Sequence, residues 1–120
     1  MSKRILIVED HPSTLYVLKF LCESFGYETQ TAKDGAAGFT LFQAQNYAGL
    51  ILDINMPIMN GLEVLRQVRR TQPQLPVIMI SARAECESEA MRAGASAFLE
   101  KPVAFDQIKA TLEGLIGPAP

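Results

Sequence analysis

Five short runs rich in Ile, Leu and Val, each followed by a longer segment of helical period, partition the chain. That alternation restricts it to βαβ units around a parallel sheet, because each crossover must lay a helix on the sheet before the next strand begins. The spacing predicts strands over Arg4–Glu9, Tyr27–Ala32, Gly49–Asp53, Pro76–Ser81 and Ala97–Glu100. The runs ILIV, LIL and VIMI are apolar without alternation, as strands buried on both faces must be. The second and fifth strands are mixed, as edge strands are. Helices are predicted over Pro12–Phe25, Gly35–Gln45, Gly61–Arg70, Glu85–Ala93 and Ala104–Ile116. Pro12 suits a first helical position, and Gly26 and Gly94 suit the left-handed residue that closes a helix. The closing GPAP stops the last helix and reads as a tail or linker stub over 118–120.

A chain of 120 residues holds one ordinary domain, at roughly 100–200 residues each. With 48% hydrophobic residues it has core enough to fold without a metal or disulfide staple. Thirteen acidic against eleven basic side chains leave a formal charge of −2. That balance lacks the basic footprint of a nucleic-acid binder, so no direct nucleic-acid binding is expected. Cys22 and Cys86 stand outside any CxxC or Cys/His grouping and predict two reduced, mostly buried thiols. The apolar run after the basic start, Ile5–Val8, is too short for a signal-peptide core or a bilayer span. A soluble, cytoplasmic protein without membrane association is expected.

The first helix departs from simple amphipathicity. Leu18, Leu21, Cys22 and Phe25 share one face, but Leu15, Tyr16, Val17 and Phe20 surround the rest. Either neighbouring loops cover these side chains, or a contiguous part of them docks another protein.

In an open parallel sheet, ligands bind beyond the carboxyl ends of the strands, where the strand order reverses. The first strand ends in Glu9 and Asp10, the third in Asp53 and the fourth in Ser81, and Lys101 and Pro102 follow the fifth. Any one of these is ordinarily a helix cap, but together they converge on one edge if the first, third and fourth strands are neighbours. Three carboxylates so close repel one another and raise each other's pKa values unless a cation neutralises them. A donor set of hard oxygens without Cys or His suits Mg²⁺ (or Mn²⁺). With a lysine opposite, such a site has the parts that phosphoryl transfer requires, including a carboxylate acceptor.

The segments ILIVEDH, LILDINMPIMNG, VIMISA and AFLEKP, in this order and spacing, closely resemble the receiver domain of two-component response regulators, chemotaxis-regulator-like. The resemblance spans nearly the whole chain. It implies a flavodoxin-like, doubly wound (βα)5 α/β fold with a five-stranded parallel sheet of order 2-1-3-4-5, with the receiver domain over 1–117. It implies that Asp53 takes a phosphoryl group from a phosphohistidine, and that the chain catalyses only its own phosphorylation and dephosphorylation. Asp10 matches a direct Mg²⁺ ligand, Glu9 a ligand largely through water, and Asn55 the residue whose backbone carbonyl completes the set with Asp53, leaving its side chain free to influence water access. Ser81 matches the hydroxyl that bonds the phosphoryl group and Lys101 the cation that pairs with it. Ala82 matches a small residue where the backbone approaches the phosphate. Lys101 and Pro102 match a cis peptide, while Met56, Pro57 and Gly61 shape the loop after the acceptor. Ser81 and Phe98 match the switch pair, with phenylalanine where tyrosine is commoner, so a buried phenol cannot add its hydrogen bond. Arg83 and Asn55 match positions that tune phosphoryl lifetime, and His11 matches a rim position beside the site.

The resemblance implies a sensor histidine kinase or histidine phosphotransfer protein as donor, docking on the first helix near Thr14 and Val17. It also implies a downstream protein or an attached output domain. The face of helix four, strand five and helix five, with Glu87, Met91, Arg92, Phe98 and Gln107, matches the output surface and a homodimer surface. Rival classes fit less well. An aspartyl-phosphate phosphatase needs a second acid where Asn55 stands, and no GxGxxG follows the first strand for a dinucleotide. A receiver that acts only through phosphorylation-independent protein contacts is the alternative, against which stand the suitable residues at every site position.

Overall fold

The computed structural model describes residues 3–119. Among them five strands, β1 (Arg4–Val8), β2 (Glu28–Ala32), β3 (Gly49–Asp53), β4 (Val77–Ser81) and β5 (Ala97–Glu100), form one sheet of order β2-β1-β3-β4-β5. All four pairings are parallel. The crossovers carry α1 (Pro12–Ser24), α2 (Gly35–Ala44), α3 (Gly61–Thr71) and α4 (Glu87–Arg92), and α5 (Phe105–Ile116) follows β5. This is the flavodoxin-like α/β fold expected of the sequence.

Side chains alternate across each strand, so one apolar strand feeds two cores. Ile5, Ile7, Ile51, Ile78 and Ile80 pack with Leu15, Leu18 and Cys22 of α1 and Ile108 and Leu112 of α5. Leu6, Val8, Leu50, Leu52, Val77 and Met79 face Phe42 of α2, Val64, Leu65 and Val68 of α3, and Ala90 of α4. Burial on both faces explains why the central strands are uninterrupted hydrophobes. On α1 the buried stripe is Leu15, Leu18 and Cys22, with Leu21 and Phe25 half-buried, so Leu15 belongs to the core side. Tyr16, Val17 and Phe20 point outward at 69%, 51% and 61% exposure.

Several boundaries differ from the expected ones by a residue. Pro76 has no N–H for the ladder, and only its carbonyl takes part, accepting from Leu50 N. The fourth helix is broken: Ala84–Cys86 is a 3-10 turn, and the α-helix begins at Glu87. Arg83, just before this turn, is extended and its N–H is held by Ser81 Oγ at 3.0 Å. Ala104 is the extended N-cap of α5 rather than its first residue. Gly26 and Gly94 close their helices at φ 96° and 107°, as expected. After α5, Gly117 turns at φ 86°, and the carbonyls of Ile116, Gly117 and Pro118 accept bonds from Lys3 Nζ and Tyr27 Oη. Ala119 packs against the α1 and α5 core, while Pro120, the end of the expected tail, lies outside the described residues. Cys22 is buried, its thiol pushed up to about 12 by desolvation and then by Glu23, and Cys86 is half-buried; both are free. No helix of the described residues is long and apolar enough to cross a membrane.

Candidate functional site

The strand order brings the ends of β1, β3, β4 and β5 side by side. Carboxylate oxygens of Glu9, Asp10 and Asp53 lie within 4.8 Å of one another, with Asp10 exposed and Glu9 and Asp53 buried. Lys101, delivered by β5, reaches across the sheet and places its ammonium 2.9 Å from Glu9 Oε1 and 3.4 Å from Asp53 Oδ1. Its peptide bond to Pro102 is cis. Glu9 Oε2 accepts from His11 N at 3.1 Å. Glu9 Oε1 is fully enclosed and, despite its ion pair with Lys101, has no aligned hydrogen-bond donor among the described residues.

Electrostatics follow from this crowding. Asp53 is raised from 3.8 to about 7, first by burial, then by the hydrogen bond and charge of Glu9, with Lys101 and the Asn55 N–H pulling the other way. Burial pulls Lys101 down, but the two carboxylates outweigh it and hold its ammonium above the usual lysine range. An enclosed carboxylate oxygen without a donor, beside an aspartate that resists ionisation, fits a hard divalent cation.

The loop after Asp53 is shaped by specific residues. The Gly61 position permits it, because a Cβ there would collide with the Asp53 carbonyl group. Asn60 caps α3 by accepting from Glu63 N at 3.0 Å. Ile58, 94% exposed, sits at φ 69°, a conformation strained for a β-branched residue. Neither feature was expected from the sequence, although Asn before Gly and a helical pattern is an N-cap signal.

Ser81, fully buried, accepts from Asn55 Nδ2 at 2.8 Å and from Arg83 N. The Asn55 side chain, expected to influence water access, donates this bond to Ser81. The Arg83 side chain points outward to Glu85 at 3.6 Å. Ala82 is exposed at the rim. His11 precedes α1 as its N-cap residue, and its ring contacts Ser13 Oγ rather than the carboxylates. Phe98 is half-buried on β5 beside Met79 and packs against the core on the α2, α3 and α4 side.

The model of the response regulator receiver domain family matches residues 5–113. The chain is 33% identical over 118 residues to the response regulator MprA of Mycobacterium tuberculosis, covering 97% of this chain and 51% of that protein. It thus spans about half the length of the curated relatives it matches. Among solved structures, the Thermotoga maritima response regulator TrrA, in complex with Mg²⁺ and BeF, superposes with a TM-score of 0.89 at 34% identity, covering 94% of this chain and 98% of that one. The receiver domain of a sensor histidine kinase from Pseudomonas aeruginosa, with a magnesium ion coordinated in its active site cleft, gives 0.88 at 25% identity, covering 98% and 99%.

Proposed function

The chain belongs to the response regulator receiver domain family, a family of two-component signalling domains, and from that premise we propose that Asp53 accepts a phosphoryl group from a phosphohistidine donor and that the modified domain switches conformation. The observation that carries this reading is the cluster itself: a buried aspartate at a strand end, two further carboxylates within 4.8 Å and a lysine bridging them.

An Asp53 oxygen attacks phosphorus, an O–P bond forms, and the P–N bond breaks with its electron pair leaving to the imidazole nitrogen. Lys101 stands 3.4 Å from Asp53, where its ammonium offsets charge on the equatorial phosphoryl oxygens. Ser81 supplies a hydroxyl to one of those oxygens, and Ala82 leaves room for backbone approach. Glu9, Asp10, Asp53 and the Asn55 carbonyl would hold Mg²⁺ (or Mn²⁺), which when bound supplies the positive charge that lets two anions meet. His11 forms part of the rim. Dephosphorylation is attack by water at the same phosphorus, with Asn55 and Arg83 at its approach. Phe98 turns inward as Ser81 engages the phosphoryl group.

The donor, a sensor histidine kinase or phosphotransfer protein, docks on α1, where a groove of about 200 Å³ runs between Thr14, Val17 and Leu21 and the β5–α5 residues Pro102 and Val103. Output, to a downstream protein, an attached domain or a second copy, goes through α4, β5 and α5, where Glu87, Met91, Arg92 and Gln107 are exposed.

The test is intact mass after incubation with acetyl phosphate and Mg²⁺, and with a phosphohistidine donor if the small molecule fails. Gain of one phosphoryl group by the wild type, lost in Asp53→Asn and without Mg²⁺, supports the reading. No gain from either donor favours a domain acting through phosphorylation-independent contacts.

A further inference from the structure

Three consecutive carbonyls at the end of α5 are held by two side chains from the start of the sheet. Lys3 Nζ donates to Ile116 O at 2.9 Å and to Pro118 O at 3.0 Å, and Tyr27 Oη donates to Gly117 O at 2.7 Å. Lys3 and Tyr27 stand just before β1 and β2, and Glu28 N donates to Lys3 O at 2.9 Å, so the two donors are fixed to each other. A helix leaves its last carbonyls without intrahelical donors, and an ammonium at that end also meets the favourable pole of the helix dipole. The backbone fits closely as well. A Cβ on Gly117 would stand 2.9 Å from Lys3 Nζ, and one on Gly26 would stand 2.9 Å from Ala119 Cβ. Ala119 packs on the core shared by α1 and α5. Tyr27 is buried, and burial, then Glu113 and Cys22, push its phenol above the ordinary tyrosine range, which keeps it a donor.

The helix on the other side of β5 is attached differently. α4 has six residues, Ala90 is its only buried one, and its start has no side-chain cap. We propose that Gly117–Ala119 is a strap that pins the end of α5 to the amino edge of the sheet. The strap makes α5 the stationary wall of the surface formed by α4, β5 and α5, so that the response to Asp53 phosphorylation falls on α4 and β5. This deepens the proposed function and rests on it for the response, while the strap stands on its own contacts. A segment tied by three bonds and a packed side chain opens rarely, whereas a short helix with one buried contact opens readily.

The experiment reads backbone order by NMR in wild type and in the double variant Lys3→Met with Tyr27→Phe, which keeps the aliphatic stem and the ring but removes the three donated bonds. Melting curves check that both are folded; where the double variant is not, Tyr27→Phe is read in its place with the same outcomes. Amide order parameters at Gly117 and Ala119 should be near the ~0.85 of rigid backbone in wild type and fall below about 0.6 in the variant. In the second arm both proteins are titrated with Mg²⁺ and beryllofluoride. Amide resonances of α4 and β5 should shift in both, and those of residues 113–117 should shift only in the variant. A mobile strap in wild type, an equally rigid strap in the variant, or residues 113–117 responding alike in both proteins overturns the proposal. If no resonance near Asp53 responds to beryllofluoride in wild type while the strap loosens as expected, the failure lies in the proposed function and not in the strap.

Discussion

Asp53 carries an electrostatic cost that a single residue imposes on the fold. Its carboxyl group titrates near 7 in the folded chain and near 3.8 when unperturbed, so between those values the folded state binds more protons than the unfolded one. Stability therefore falls as pH rises from about 4 through about 7 and stays reduced above it. Asp53→Asn removes that cost, and the melting temperature at pH 8 should rise over wild type by several degrees or more, a gain that shrinks towards pH 4. Millimolar Mg²⁺ should raise the wild-type melting temperature at pH 8 and do little for the variant, because the cation relieves the same repulsion. A variant no more stable at pH 8 than at pH 4, relative to wild type, would contradict the electrostatics. The carboxylates, Ser81 and Lys101 were legible in the sequence because strand ends in a parallel sheet must converge. The Asn55–Ser81 bond was not, since no periodicity records which loop side chains meet across 26 residues.

At the level of elements, the three central strands announced themselves through unbroken hydrophobic runs, while boundaries depended on single hydrogen bonds that composition does not show. The fourth helix opens as a 3-10 turn directly after Arg83, whose N–H is held by Ser81 Oγ, a contact that helix propensity does not record. Two substitutions test the energetic reading of the elements. Gly114 lies within α5 with open space where a Cβ would go, so Gly114→Ala should stabilise by roughly 0.5–1 kcal/mol in a denaturant titration. Arg69, at the end of α3, donates to the carbonyls of Gly94, Gln72 and Leu75 at 2.8, 3.0 and 2.7 Å. It ties α3 to the loops before β4 and β5, and Arg69→Ala should cost about 2 kcal/mol by leaving the Gly94 and Leu75 carbonyls without this donor and Gln72 O with only a long bond from Leu75 N. An unchanged midpoint in the same titration would show that water replaces the guanidinium freely.

Across the whole molecule, the sheet separates two tasks. Its carboxyl edge holds the carboxylate and lysine cluster, and the helices display the surfaces proposed for partners. The apolar excess of the first helix, left open by the sequence, resolves into Leu15 turned to the core and Tyr16, Val17 and Phe20 turned to solvent. Under the proposed function, this patch is where the protein donor would dock. Phe20→Ser should slow transfer from a phosphohistidine protein about tenfold, the effect of losing an aromatic anchor, and leave phosphorylation by acetyl phosphate unchanged. Equal slowing with both donors would assign Phe20 to the fold rather than to docking. The central claim, that the phosphoryl group resides on Asp53, is tested most directly by trapping it. Borohydride reduction of the phosphorylated chain converts an acyl-phosphate aspartate to homoserine, and peptide mass spectrometry locates the change. The account predicts homoserine at position 53 alone, dependent on Mg²⁺ and on the phosphodonor; modification at any other residue, or none in a chain that has gained the phosphoryl mass, would contradict it.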